Sequence, residues 1–194
     1  INESYYEWRG YDKTIRMGFM SIKNLGKIAI SLILKERKKS YFKSLKDFID
    51  RVQINLADAM AITNARCFEK LCPDLHHREI AYLVAGSYTG GDRIPLKREI
   101  DLDLYPFTKE EIYQLDLDSF GYPISSHPIA RYRKRLNQKI IFAKDIQKHY
   151  RKSVYLLGIY IARKESLTNK SEPMEFLTLE DETDTYECIL FPDV

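Results

Sequence analysis

Little in this 194-residue sequence can be cross-linked, sharply bent or buried in lipid. It has three cysteines, one tryptophan, eight glycines and seven prolines. Cys67, Cys72 and Cys188 are odd in number and irregularly spaced, which excludes a disulfide framework and fits a reducing, cytoplasmic setting. No uncharged run is long enough to span a bilayer, and no signal-peptide pattern opens the chain. Neither charge sign dominates, with 31 Lys and Arg against 28 Asp and Glu. What is there is a globular composition, 44% hydrophobic and 30% charged, long enough for one ordinary domain or two small ones. The chain opens at Ile1 and stops at Val194 after a strand-like run, as expected of a piece of a longer protein.

The balanced total hides blocks. Residues 1–70 carry a net +6, residues 71–120 a net −5, residues 121–170 a net +10 and residues 171–194 a net −8. Basic blocks favour a polyanion, because each phosphate contact releases counterions. Solvated faces folded against each other account for the same pattern.

Apolar spacing predicts helices from Thr14 to Arg37, broken by a hairpin at Asn24-Leu25-Gly26. Ser44 predicts an N-cap for a third helix, and residues 56–71 and 76–84 read as two more. Residues 86–108 are turn-rich and read as a linker or surface loop. Short helices are expected over 110–120 and 129–136. From Val154 the pattern turns to strands over 154–161, 174–179 and 185–191, a three-stranded meander. The predicted class is α+β: a mainly helical domain followed by a small antiparallel sheet.

Ile22-Lys23-Asn24-Leu25-Gly26-Lys27 joins two helices, and the second helix presents unpaired N–H groups and the positive end of its dipole. Lys23 and Lys27 flank that spot, which can cradle one backbone phosphate without reading sequence. An ordinary helical hairpin has the same spacing.

Residues 15–84 resemble the tandem helix-hairpin-helix region of the bacterial DNA polymerase III alpha subunits. The matching runs are Met17-Gly18-Phe19-Met20-Ser21-Ile22-Lys23-Asn24-Leu25-Gly26, Glu36-Arg37 and Phe42-Lys43-Ser44-Leu45-Lys46-Asp47-Phe48. Asn24 stands where that family typically has glycine. Ala65-Arg66-Cys67-Phe68 occupies the second hairpin's Ala-Gly-Ala-Phe position, so Arg66 replaces a glycine and offers a charge instead. The segment 120–129, with His127-Pro128, resembles the one before the family's oligonucleotide-binding (OB) barrel. Residues 173–183 and 186–192 resemble that barrel's second and third strands.

The resemblance implies a tandem helix-hairpin-helix DNA-binding domain over 1–85, a connector over 86–150 and the first strands of a truncated OB-fold over 151–194. It implies DNA contacts by Lys23, Asn24, Gly26, Lys27 and Arg66, with duplex and single-stranded template as partners. The sliding clamp and other replisome subunits are further partners of a parent that synthesises DNA with Mg²⁺. Catalytic, metal and cofactor sites are expected in the parent and not in this piece. In the barrel, Tyr155, Tyr160, Arg163, Lys164 and Phe176 are candidates to bind a single strand.

Two alternatives stand beside this reading. Gly86-Ser87 with Asp101-Leu102-Asp103 resembles the signature of the polymerase-beta-type nucleotidyltransferases, in which a Gly-Ser turn grips triphosphate and paired carboxylates hold Mg²⁺. A protein-interaction scaffold is the other. Gln114-Leu115-Asp116-Leu117 resembles a clamp-binding motif, but Asp118 stands where an aromatic is expected, and a helix face is the preferred reading. Cys72, His76 and His77 lack a second ligand pair at zinc spacing.

Overall fold

The computed structural model describes residues 1–89 and 104–192. The chain packs as two units, Ile1–Ser125 and Ser126–Val194. The first is helical and the second carries a three-stranded sheet, so the α+β expectation holds.

The first unit opens on a small exposed hairpin, β1 (Arg9–Tyr11) against β2 (Thr14–Arg16). Residues 14–16 were expected to begin a helix. Both faces of this hairpin are exposed, so neither strand shows a period-two pattern. A 3₁₀ turn, Phe19–Ser21, follows in place of a full helix. Gly18 is required there, because a Cβ would strike the backbone of Tyr6 and Glu7. That close approach lets Phe19 N–H reach the Tyr5 carbonyl at 2.8 Å and Met20 N–H the Tyr6 carbonyl at 3.0 Å.

Five helices follow among the described residues of this unit: α1 (Lys27–Lys39), α2 (Leu45–Arg51), α3 (Leu56–Asn64), α4 (His77–Tyr88) and α5 (Lys109–Phe120). The starts of α2, α3 and α5 are set by side chains that accept otherwise unpaired N–H groups. Ser44 accepts from Asp47 N–H at 3.1 Å, and Asn55 from Asp58 N–H at 2.8 Å. Thr108 and Glu111 form a reciprocal capping box on α5. Gly86 and Ser87, expected in a turn, lie inside α4. The Ser87 hydroxyl donates back to the Leu83 carbonyl at 2.8 Å, so it is satisfied within the helix.

The apolar faces meet in one core built on Phe19, Ile30, Ile33, Phe48, Ile62 and Phe68. Phe48 stands edge-on to Phe42 and Phe68, with centroids 5.0 and 4.8 Å away. Such pairs each add on the order of 1 kcal/mol beyond the area they bury.

In the second unit, α6 (Ala130–Arg133) and a 3₁₀ segment, Ala143–His149, precede the sheet. The strands β3 (Ile159–Leu167), β4 (Pro173–Glu180) and β5 (Thr185–Leu190) form an antiparallel meander in the order β3-β4-β5. The first strand starts five residues later than expected. At Gly158 a Cβ would meet the Tyr186 hydroxyl at 2.6 Å and the Leu179 side chain at 3.0 Å. Beyond residue 161 the strand runs on through polar residues that are mostly exposed, which a hydrophobicity pattern does not reveal. The β4–β5 turn is fastened by Asp181, which is buried. Its carboxylate accepts from Thr183 N–H at 2.7 Å and, across the unit, from Ala143 N–H at 2.7 Å and Arg133 at 3.2 Å.

One buried group in the first unit titrates against the fold. His77 is 8% exposed, its ring lies 5.3 Å from that of Phe107, and neither ring nitrogen has a partner among the described residues. Burial, then the neighbouring Arg66 and His76 charges, lower its pKa to about 4. The unfolded chain, with the ordinary value of 6.5, binds the proton first as pH falls. Stability is therefore full above pH 6.5 and lost progressively between 6.5 and 4. Urea denaturation should show a loss of about 2 kcal/mol from this group between pH 7 and 5. His77→Phe should flatten that slope, whereas an unchanged slope would show the ring to be charged in the folded chain.

Candidate nucleic-acid interface

The first hairpin turns through Lys23-Asn24-Leu25 into Gly26, the N-cap of α1. Asn24 takes the left-handed conformation, φ 62°. Asparagine tolerates that region better than most residues, and this is the position where a glycine was expected. Gly26 itself has φ −68°, so its lack of a side chain serves space and not positive φ. A Cβ there would meet the Asp58 carboxylate at 3.2 Å, and Gly26 N–H donates to Asp58 Oδ1 at 2.7 Å. Asp58 Oδ2 accepts from the Asn55 side chain at 2.9 Å. One carboxylate thus serves the N-termini of both α1 and α3. The next N–H groups, of Lys27, Ile28 and Ala29, precede the first intrahelical bond of α1, from Ile30 to Gly26.

The two hairpin lysines behave differently. Lys23 is turned to α5: its N–H donates to the Ser119 carbonyl at 2.7 Å and its ammonium to the Leu117 carbonyl at 3.2 Å. It thereby satisfies carbonyls at the negative end of the α5 dipole. Lys27 is exposed, and no ion pair engages it among the described residues.

Arg66 also takes a left-handed conformation, φ 57°, at the second expected glycine position. Its guanidinium does not face outward alone. Nη2 pairs with Asp116 at 3.1 Å, and Asp116 is buried. The other Asp116 oxygen accepts Ile124 N–H at 2.9 Å, and Ser125 N–H and the Ser125 hydroxyl at 2.6 Å each. Burial pushes the Asp116 pKa up, but the Ser125 and Ile124 hydrogen bonds and the Arg66 charge outweigh it and hold the group below its ordinary value. Gln114-Leu115-Asp116-Leu117 is accordingly helical, with Asp116 turned inward.

Lys23, Asn24, Gly26 and Lys27 are therefore together at the start of α1, and Arg66 belongs to the second hairpin. Sequence reasoning missed Asp58 and Asp116. Asp58 is an ordinary first-turn acid on α3, and Asp116 pairs across 50 residues of sequence. His127 makes a structural contact: Nδ1 accepts Ile129 N–H at 3.2 Å, leaving Nε2 to donate to Glu180 at 3.3 Å. Of the polymerase-beta-type signature, Gly86 and Ser87 are helical, and Asp101 and Asp103 lie outside the described residues. Among the described residues no group of three or more His, Cys, Asp or Glu could hold a metal ion, and no helix is long and apolar enough to cross a membrane.

Residues 1–79 match the family model described as the helix-hairpin-helix motif. Beyond that motif, the chain is 28% identical to a DNA polymerase III subunit alpha of Aquifex aeolicus, over 94% of its own length and 16% of the relative's. A DNA polymerase III subunit alpha of Bacillus subtilis is 24% identical over the whole chain and 19% of the relative. An error-prone DNA polymerase of Hahella chejuensis is 27% identical over 98% of the chain and 19% of the relative. These matches bear out the resemblance to the DNA polymerase III alpha subunits. The chain spans less than a fifth of the length of these relatives.

The Asp116 network generates a stability prediction. Asp116→Ala would strand the Arg66 cation and leave the Ile124 and Ser125 N–H groups unpaired. Chemical denaturation should show a loss of about 3–5 kcal/mol, the usual result of breaking a buried charged pair from one side. A loss under about 1 kcal/mol would mean that water replaces the carboxylate.

Proposed function

We propose that this chain is the DNA-holding part of a DNA polymerase III alpha-type polymerase. The parent performs template-directed DNA synthesis, a nucleotidyl transfer assisted by Mg²⁺. This chain contributes backbone contacts to duplex DNA and guidance of the template strand, and takes no part in catalysis. The described residues do not fit a Mg²⁺ site, so no chemical step is assigned to them. The chain's regions in this reading are a hairpin domain over 1–85, a connector over 86–150 and the start of an OB-fold over 151–194. Sliding clamp and replisome subunits would be partners of the parent, in the cytoplasm.

The observation that carries the reading is the start of α1, inside the stretch that matches the helix-hairpin-helix motif. An exposed Lys27, a left-handed Asn24 and the first N–H groups of a 13-residue helix converge there. A phosphate oxygen at that point meets donors and the positive end of the dipole. Lys23 and Arg66 support the site indirectly, by holding both hairpins to α5. Asp58 opposes it, because its carboxylate shares the N-terminus with any incoming phosphate.

Fluorescence anisotropy with labelled duplex DNA over a salt series tests this. Affinity should fall steeply as salt rises. Lys27→Glu should weaken binding equally across sequences and lower the salt slope by about 1. Asp58→Asn should tighten binding severalfold by removing the repulsion. If both variants bind as the parent chain does, the phosphate does not sit at α1. No binding at low salt would leave a protein-interaction scaffold.

A further inference from the structure

Arg37 is a buried cation that no carboxylate meets. It lies in the last turn of α1 and is 9% exposed. Its Nη1 donates to the Ile1 carbonyl at 3.1 Å and to the Ser4 carbonyl. No ion pair engages it among the described residues. Charged side chains are rarely buried this far without an opposite charge, because carbonyl dipoles replace only part of the lost hydration. Burial accordingly lowers the Arg37 pKa.

The guanidinium lines a cleft. Residues 2–5, the β1–β2 hairpin and the end of α1 surround a space of about 440 Å³. That is within the range of small-molecule sites, roughly 300–1,000 Å³. Tyr5, Tyr11, Tyr41, Arg16, Arg37 and Glu3 are on its walls. The acid on these walls, Glu3, is already shared between Arg16 at 2.5 Å and Lys70 at 2.7 Å. The Arg37 charge is therefore left for an anion that enters the cleft.

The walls are held before any ligand arrives. The Asn2 side chain donates to the Phe42 carbonyl at 2.8 Å and accepts Phe42 N–H at 2.9 Å, which fixes the neighbouring Tyr41 beside the cleft. The Tyr5 carbonyl accepts Phe19 N–H at 2.8 Å. Arg9 already covers one face of the Tyr5 ring, 3.6 Å from its centre. Tyr11 and Tyr41 keep ring surface in solvent, at 47% and 68% exposed. Guanidinium groups match phosphate geometry, and open rings offer stacking to any planar base.

The geometry points to a site for a small planar anion, a nucleoside monophosphate in class, in the cleft between the β1–β2 hairpin and the end of α1. Arg37 and Arg16 receive the phosphate, and Tyr11 and Tyr41 stack on the base. An inorganic anion would satisfy the guanidinium alone, and the rings are what select a nucleotide. The inference goes beyond the DNA-holding reading and uses none of the residues at the start of α1.

The test is calorimetric titration of the 194-residue chain with deoxyadenosine monophosphate, with deoxyadenosine and inorganic phosphate run beside it. The monophosphate should bind about tenfold tighter than either part alone. Tyr11→Ala with Tyr41→Ala should weaken monophosphate binding about fivefold or more and leave phosphate binding unchanged. Arg16→Ala should weaken monophosphate and phosphate binding alike and leave deoxyadenosine binding unchanged. These residues are exposed, and an unchanged thermal midpoint confirms that each variant folds. Arg37→Gln should abolish monophosphate binding, and if it does not fold the exposed variants decide. No binding of the monophosphate at millimolar concentration would overturn the proposal. An affinity indifferent to the tyrosine pair would overturn it too, leaving a plain anion site. A loss with Lys27→Glu equal to that with Arg16→Ala would also overturn it, moving the phosphate to the start of α1.

Discussion

The carboxylate of Asp116 is the contact on which the first unit turns. It joins three segments far apart in sequence: the second hairpin through Arg66, helix α5 on which it sits, and the turn at Ile124-Ser125. Helix α5 then receives the first hairpin at its other functional end, where Lys23 satisfies the Ser119 and Leu117 carbonyls. Gly121, at φ 88°, ends the helix close to Lys23, whose Cε would lie 3.1 Å from an added Cβ. A larger residue would be strained in backbone and crowded in space. One helix therefore indexes both hairpins, so the free start of α1 is held by contacts made elsewhere. Preorganised donors lose less entropy when an anion arrives, which is why such rigidity matters for binding.

The second unit repeats this logic with the signs exchanged in position. Asp181, buried at the β4–β5 turn, gathers the turn's own N–H groups, Ala143 and Arg133. Burial raises its pKa, and the bonds from Thr183, Ala143 and Asp184 outweigh that and hold it down. In each unit a buried carboxylate takes one arginine out of a basic block. Of the remaining cations, Lys39, Lys46, Arg51, Lys70 and Lys148 also pair with acids, whereas Lys27, Lys134 and Lys139 have no ion pair among the described residues. A charge block read from sequence is thus a sum of two populations, and only the structure separates them. Arg66 and Arg133 are fasteners, whereas Lys27, Lys134 and Lys139 are exposed and have no ion pair among the described residues.

Much of the helical framework was legible because it is written locally. Ser44 caps α2 as its position predicts, and α5 runs from Lys109 to Phe120, within a residue of expectation. Those signals depend on residues three or four apart. The failures share a different cause. Residues 9–16 pair as strands with both faces in solvent, so no periodicity marks them. Strand β3 continues through Arg163-Lys164-Glu165 for the same reason. Gly86-Ser87 reads as a turn by composition but is carried inside α4, where the serine hydroxyl finds a helical carbonyl. The site was half legible. The residues at the α1 start were in view, but the roles of Lys23 and Arg66 depend on Leu117 and Asp116, 94 and 50 residues away.

The two expected glycine positions show what such distance does to a motif. Asn24 and Arg66 both keep the backbone conformation that glycine would adopt freely. Left-handed backbone costs an L-residue about 1–2 kcal/mol, less for asparagine. At Asn24 nothing beyond that tolerance is needed. At Arg66 the strain is real and must be offset, and the pair with Asp116 offsets it. A glycine at 66 would relax the backbone and leave a buried carboxylate without its counter-charge, which costs more than the strain saved. The arginine's conformation is therefore accounted for by its pair with Asp116 on α5. Arg66 thereby braces its turn to α5, whereas Lys27 is exposed and has no ion pair among the described residues.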